Sequence, residues 1–157
     1  MVEPRWLTEQ EDRAWRGYRQ LRTLLDLHIA RDLAADTGLS EADYDVLSTL
    51  SETPGHRLRL LELAQRTLWT PSRLSHQVSR MQARKLVRRE SLPTNSRAAV
   101  VILTDTGLRA IQAAAPGHVE SVRRHFIDLL SAEQIDNLAE LADAALARLR
   151  AQAELPM

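Results

Sequence analysis

Between Leu60 and Arg97 the chain carries two short helical patterns, a tight turn and a basic hairpin, and this order constrains the fold more than any other feature. From His56 to Arg97 there are ten Lys/Arg against two acids, Glu62 and Glu90, so the window carries +8. The whole chain is neutral, with 21 basic and 21 acidic residues, so the remainder carries −8. Charge separated in this way makes a directional field that draws a polyanion to one face and leaves the other free. Double-stranded DNA is the polyanion that the details of the window favour.

Around this window the hydrophobic spacing predicts helices. Thr8 to about Asp36 lacks proline and repeats Leu21, Leu24, Leu25, Ile29 and Leu33 at helical intervals, with Gly38 as its stop. Ser40 with Asp43 opens a second helix to Leu50, with Tyr44, Leu47 and Leu50 inward. A third is expected over Leu58–Arg66, burying Leu60, Leu63 and Ala64. Thr70-Pro71 pairs a hydroxyl cap with proline at the first helical position and starts a fourth helix, to about Lys85, with Leu74, Val78 and Met81 inward. Leu86–Glu90 and Ala99–Leu103 can pair as strands around the tip Pro93-Thr94-Asn95-Ser96. Thr104 caps a fifth helix, interrupted or kinked at Pro116-Gly117, and Ser131 with Gln134 boxes a sixth that runs to about Arg150. The expected fold is therefore mainly α with a small β-hairpin wing. A winged helix-turn-helix occupies 39–104, and the helical stretches 5–38 and 105–151 bury each other across a two-fold axis.

The fourth helix carries the chemistry. Opposite its apolar stripe lie Ser72, Arg73, Ser75, His76, Gln77, Ser79 and Arg80, with Thr70 at its start. All can exchange hydrogen bonds and none is acidic, as a helix entering a major groove requires. Arg84, Lys85, Arg88 and Arg89 are placed for phosphates, and Arg97, with Asn95 and Ser96 before it, for an adjacent minor groove. The alternative is a winged module that binds protein without DNA readout. Concentrated positive charge and an acid-free helix discriminate against it.

The runs Leu60-Leu61-Glu62-Leu63-Ala64, Thr70 to Met81, Leu86-Val87-Arg88-Arg89 and Leu103-Thr104-Asp105-Thr106-Gly107 closely resemble the multiple antibiotic resistance regulator (MarR) family. The resemblance covers almost all of 1–157 as a single domain of that type. It implies a homodimeric winged-helix transcription factor, usually a repressor, that binds a pseudo-palindromic operator and is released by a small, often aromatic and anionic, ligand. Such a ligand would sit between the dimerisation helices and the winged lobe. Arg16, Tyr18, Arg19, His28 and Tyr44 are the cations and rings suited to line that site. The family commonly has an acid two residues before the wing arginine, where this chain has Asn95. Trp69 also fills a turn position where smaller residues are usual.

Other chemistry is disfavoured. The chain has no cysteine, which removes disulfides, thiol nucleophiles and Cys-ligated metals. Its five histidines show no metal-ligand spacing, and no Ser/His/Asp set, phosphate loop or dinucleotide motif is present. No catalytic residue, metal or cofactor is expected. Neither a spanning segment nor a signal-peptide core is found, so the expected location is the cytoplasm, at the nucleoid when bound to DNA.

Overall fold

The structure, a computed structural model, describes residues 3–92 and 95–152, with the side chains of 91–98 and 152 outside the description. Helix α1 (Glu9–Thr37) begins where Thr8 and Glu11 cap each other, the hydroxyl accepting at 3.3 Å and the carboxylate at 2.8 Å. It ends at Gly38, whose φ of +71° is the left-handed turn that glycine adopts without a Cβ clash. The same reciprocal cap, Ser40 with Asp43, starts α2 (Glu41–Ser51). Helices α3 (Leu60–Thr67) and α4 (Pro71–Ala83) follow as the helix-turn-helix pair.

Three antiparallel strands make the wing sheet in the order β1-β3-β2: β1 (Arg57–Arg59), β2 (Val87–Leu92) and β3 (Asn95–Leu103). Here the structure corrects the reading of Leu58 as helical. Leu58 pairs with Val101, and its side chain is buried. A three-residue strand has no period of its own, and only its distant partner β3 decides its conformation. The expected hairpin is present, with Val87 opposite Leu103 and Arg89 opposite Val101. Of its expected tip, Pro93 and Thr94 lie outside the described residues.

The core is built by α2, α3, α4 and the two long strands. Leu47, Leu50, Leu63, Leu74, Met81, Val78 and Val101 are fully buried there. At about 1.5–3 kcal/mol each, such side chains are the main favourable term for so small a lobe. The run Leu103–Gly107 closes it onto α5 (Asp105–His125). The Thr104 hydroxyl donates to the carbonyls of Lys85 (2.6 Å) and Leu86 (2.9 Å) and accepts the Gly107 N–H (3.0 Å). A Cβ on Gly107 would lie 2.0 Å from the Leu86 carbonyl oxygen, so only glycine fits.

Two further expectations are corrected. α4 ends at Ala83, before Lys85, which turns the chain with φ +62°. α5 runs through Pro116 without interruption. A missing proline N–H removes one helix bond, and packing along α1 holds the rest of the helix in place. The final helix, α6 (Ala132–Gln152), starts with the expected Ser131–Gln134 cap. No described residue of α6 is buried.

Candidate nucleic-acid interface

Helix α4 is fixed at both ends. The Thr70 hydroxyl accepts the Arg73 N–H at 3.3 Å, and Pro71 at the first turn has no N–H left to satisfy. At about 100° per residue, Leu74, Gln77, Val78 and Met81 form one stripe, and all four are buried. Ser72, Arg73, His76, Ser79 and Arg80 are exposed, and Ser75 is half-buried at the edge. No acid occurs in α4, so its outer face presents no carboxylate.

Gln77 departs from the expectation that it faces the groove. Its side chain is buried, its amide donates to Asp43 at 2.8 Å, and its carbonyl oxygen accepts from Arg80. The reason is its place on the apolar stripe, between Leu74 and Met81. Asp43 occupies the matching position on α2, with Val46, Leu47 and Leu50, and is itself buried. Its other carboxylate oxygen accepts from Arg84 at 2.6 Å and from the Ser40 N–H at 2.9 Å. Burial pushes the Asp43 carboxyl up. The Arg84 guanidinium and Ser40, through backbone and hydroxyl, outweigh that effect and leave it below its ordinary range. Arg84 is thus tied to a buried acid, and its donors also reach the Gly38 carbonyl at 3.4 Å. Arg80 stays exposed but is steadied by Gln77.

The remaining cations surround this helix. Arg89 donates to the Ser75 hydroxyl at 3.2 Å, and its backbone N–H to Gln82 at 3.1 Å, so β2 is stapled to α4. Arg88 pairs with Glu90 on its own strand. Lys85 is exposed in the turn. Asn95, Ser96 and Arg97 lie on β3, and their side chains are outside the description.

The five residues expected to line a ligand site do not converge within one chain. Arg16 and His28 are both on α1, about 18 Å apart at 1.5 Å per residue. Arg16 pairs with Asp12 at 2.8 Å, and it shares an open groove with Arg19. Tyr18 stacks on Trp15, His28 lies 5.1 Å from the His125 ring, and Tyr44 lies 4.1 Å from the His118 ring.

Three groups were missed by the sequence reading. Asp43 left a signal, an acid on an apolar stripe. Trp69 stood out only as a bulky residue in the turn, and its ring underlies the Arg73 guanidinium at 4.2 Å. Asp32 left no signal, because its partners stand on α5. It accepts from the Ser121 hydroxyl (2.6 Å) and Arg124 (2.7 Å), and it meets the His125 ring at 2.8 Å, latching α1 to α5. Among the described residues no cluster of His, Asp or Glu is arranged to hold a metal ion, and no helix is long and apolar enough to cross a membrane.

Comparison with known proteins bears on what this geometry serves. Residues 37–98 match the sequence model described as MarR family. The transcriptional regulator HosA of Escherichia coli is 31% identical over 126 residues, which is 80% of this chain and 91% of that protein. AbsC, a MarR family transcriptional regulator from Streptomyces coelicolor, superposes with a TM-score of 0.88 at 42% identity, over 95% of this chain and 100% of that one. Sco3205, a MarR family regulator from the same organism solved in complex with DNA, gives 0.91 at 41% identity, over 99% of this chain and 98% of its own.

Proposed function

The chain belongs to the MarR family of transcriptional regulators, and from that premise we propose that it works as a homodimeric, sequence-specific repressor on a pseudo-palindromic operator. The observation that carries the reading is the outer face of α4, where Ser72, Arg73, His76, Ser79 and Arg80 are exposed with no acid on the helix. Arg84, Lys85, Arg88, Arg89 and Arg97 would hold the flanking phosphates and the adjacent minor groove. In this reading 39–104 contacts DNA, while 5–38 and 105–151 hold two copies together. The apolar side chains that α1 and α6 expose support that division.

A two-fold dimer would set two copies of α4 on one face of the duplex, with half-sites about 10 bp apart in an imperfect palindrome of roughly 16–20 bp. Genome-wide mapping of bound DNA followed by footprinting tests this, and a single half-site or direct repeats would contradict it. Arg73→Ala should cost roughly 1–3 kcal/mol on the operator and much less on random duplex. Arg88→Ala should weaken both and lower the salt slope by about one unit. Deleting the gene should raise transcription beside the mapped sites if it is a repressor, and lower it if it is an activator.

Release by a small aromatic acid belongs to the same proposal. Tyr44 and His118 support it: their rings face each other between α2 and α5, and His118 Nδ1 is buried with no hydrogen-bond partner among the described residues. Burial holds the His118 pKa below its ordinary value, so a neutral ring is available to a ligand's acid or hydroxyl group. Salicylate is a suitable probe. It should dissociate the wild-type complex at lower concentration than the His118→Ala complex, and equal sensitivity would refute this site.

A further inference from the structure

We propose that Trp69 is a positioning residue for sequence readout: its indole is a shelf that holds the Arg73 guanidinium flat, with its N–H edge free for one guanine in each half-site. The inference rests on the reading of α4 as the groove-entering helix.

Both residues are fixed by backbone geometry before their side chains meet. Helix α3 terminates at Leu68 in the left-handed conformation, φ +57°, and the Trp69 N–H then donates to the Ala64 carbonyl at 2.9 Å. One residue later Thr70 caps α4 and takes the Arg73 N–H. The turn is therefore tied to α3 on one side and to α4 on the other. Residues 69 and 73 are brought to neighbouring positions across it. The indole is half-buried against the core, which leaves it little freedom to swing away.

The arginine is the mobile partner. Arg73 is exposed, and among the described residues its guanidinium makes no hydrogen bond or ion pair. A free arginine loses considerable rotamer entropy when it docks on a base. Stacked at 4.2 Å on an aromatic face, it has already lost part of that freedom. Stacking uses the face of the planar cation and leaves its in-plane donors available. A planar fork with two parallel N–H groups matches O6 and N7 of guanine. Arg80, steadied through its hydrogen bond to Gln77, has part of its donor edge occupied, so the free edge belongs to Arg73.

The test uses the full-length protein and a duplex selected by the wild type from a randomised pool, with random duplex as reference. Trp69→Leu keeps apolar volume but removes the π face, and Trp69→Phe restores a smaller one. Trp69→Leu should weaken operator binding about tenfold with less than a twofold change on random duplex, and Trp69→Phe should recover most of the loss. In an Arg73→Ala background Trp69→Leu should add nothing. Replacing guanines one at a time with 7-deazaguanine should reveal one position per half-site that matters to the wild type and not to Arg73→Ala or Trp69→Leu. If Trp69→Leu weakens operator and random duplex equally, or is as harmful without Arg73, the indole only packs and the proposal falls, while the assignment of α4 stands. If Arg73→Ala itself changes neither operator affinity nor 7-deazaguanine sensitivity, α4 is not the reader and both fall. Melting curves confirm that each variant is folded at the binding temperature.

Discussion

The winged lobe and the helical ends of this chain use their apolar residues in opposite ways. Among the described residues the fully buried large side chains, Val46, Leu47, Leu50, Leu63, Leu74, Val78, Met81, Val87 and Val101, belong to α2, α3, α4 and the wing strands. Of α1 only Ile29 and Leu33 are buried, both in its last third, whereas Trp15, Tyr18, Leu21, Leu24 and Leu27 are exposed. Along α6, Ile135, Leu138, Leu141, Leu146 and Leu149 are exposed without exception. Large apolar side chains exposed in such number along two helices point to an interaction surface. One region satisfies its own hydrophobic pattern, and the other leaves it to be satisfied by something else. The two should therefore respond differently to substitution.

The largest effect tests that directly. Leu141→Glu with Leu149→Glu puts two charges into the α6 face. Light scattering should then move from about twice 17.7 kDa to the chain mass itself. Operator affinity should drop by at least about a hundredfold, because a monomer loses the linked second half-site. The circular dichroism of the winged lobe should be preserved. A wild type that is already monomeric at micromolar concentration would break the comparison.

Next in size is a change inside the winged lobe. Gly107→Ala forces a methyl group against the Leu86 carbonyl, with no flexible atom to yield. It should cost about 2–4 kcal/mol of stability with the dimer mass unchanged, read from denaturant midpoints. Loss of dimer without loss of stability would mean that the Thr104–Gly107 turn serves the helical ends instead. This motif is one of the four runs on which the family resemblance was stated, and the structure gives it a packing role.

A smaller effect separates structure from recognition within α4. Gln77→Ala should cost about 1–3 kcal/mol of folding stability, since it leaves a buried Asp43 oxygen without its donor. Its operator affinity, measured where the variant is fully folded, should suffer less than that of Arg73→Ala. The opposite ranking would return Gln77 to the DNA face.

How far the sequence revealed these features follows from the range of the forces involved. Helix starts were legible because caps act over three residues: Thr8, Ser40, Thr70, Thr104 and Ser131 all cap by side chain where a hydroxyl stands before a helical run. The β2–β3 hairpin was legible because its two apolar runs flank a polar tip. Strand β1 was not, because its conformation depends on pairing with a strand more than 40 residues away. Gln77 was misplaced by grouping residues by polarity instead of by angle around the helix. Two polar residues on facing apolar stripes, Asp43 and Gln77, are a pattern that predicts a buried pair. The Asp32 latch and the separation of the five ligand candidates depend on how α1 lies on α5, which no local pattern encodes.

The smallest expected effect lies at the latch within the helical ends, between α1 and α5, and it is read through pH. The Ser121 hydroxyl, the His125 ring and the Arg124 guanidinium hold the Asp32 carboxyl far below its ordinary range. A carboxyl depressed in the folded state favours the ionised form there, so its contribution is complete above the unfolded value near 4 and is lost as pH falls through the lower folded value. Asp32→Asn should therefore lower the melting temperature at pH 7. The gap to wild type should narrow as the pH drops below about 4, because only the wild type has a charge left to lose. A gap that stays constant with pH would show that the latch works by shape and neutral hydrogen bonds alone. A gap that widens in acid would reverse the sign of the coupling and refute the assignment. Because the polar partners of Asp32 among the described residues all stand on α5, operator contacts should be unaffected, and binding by the folded variant should stay within about twofold of wild type.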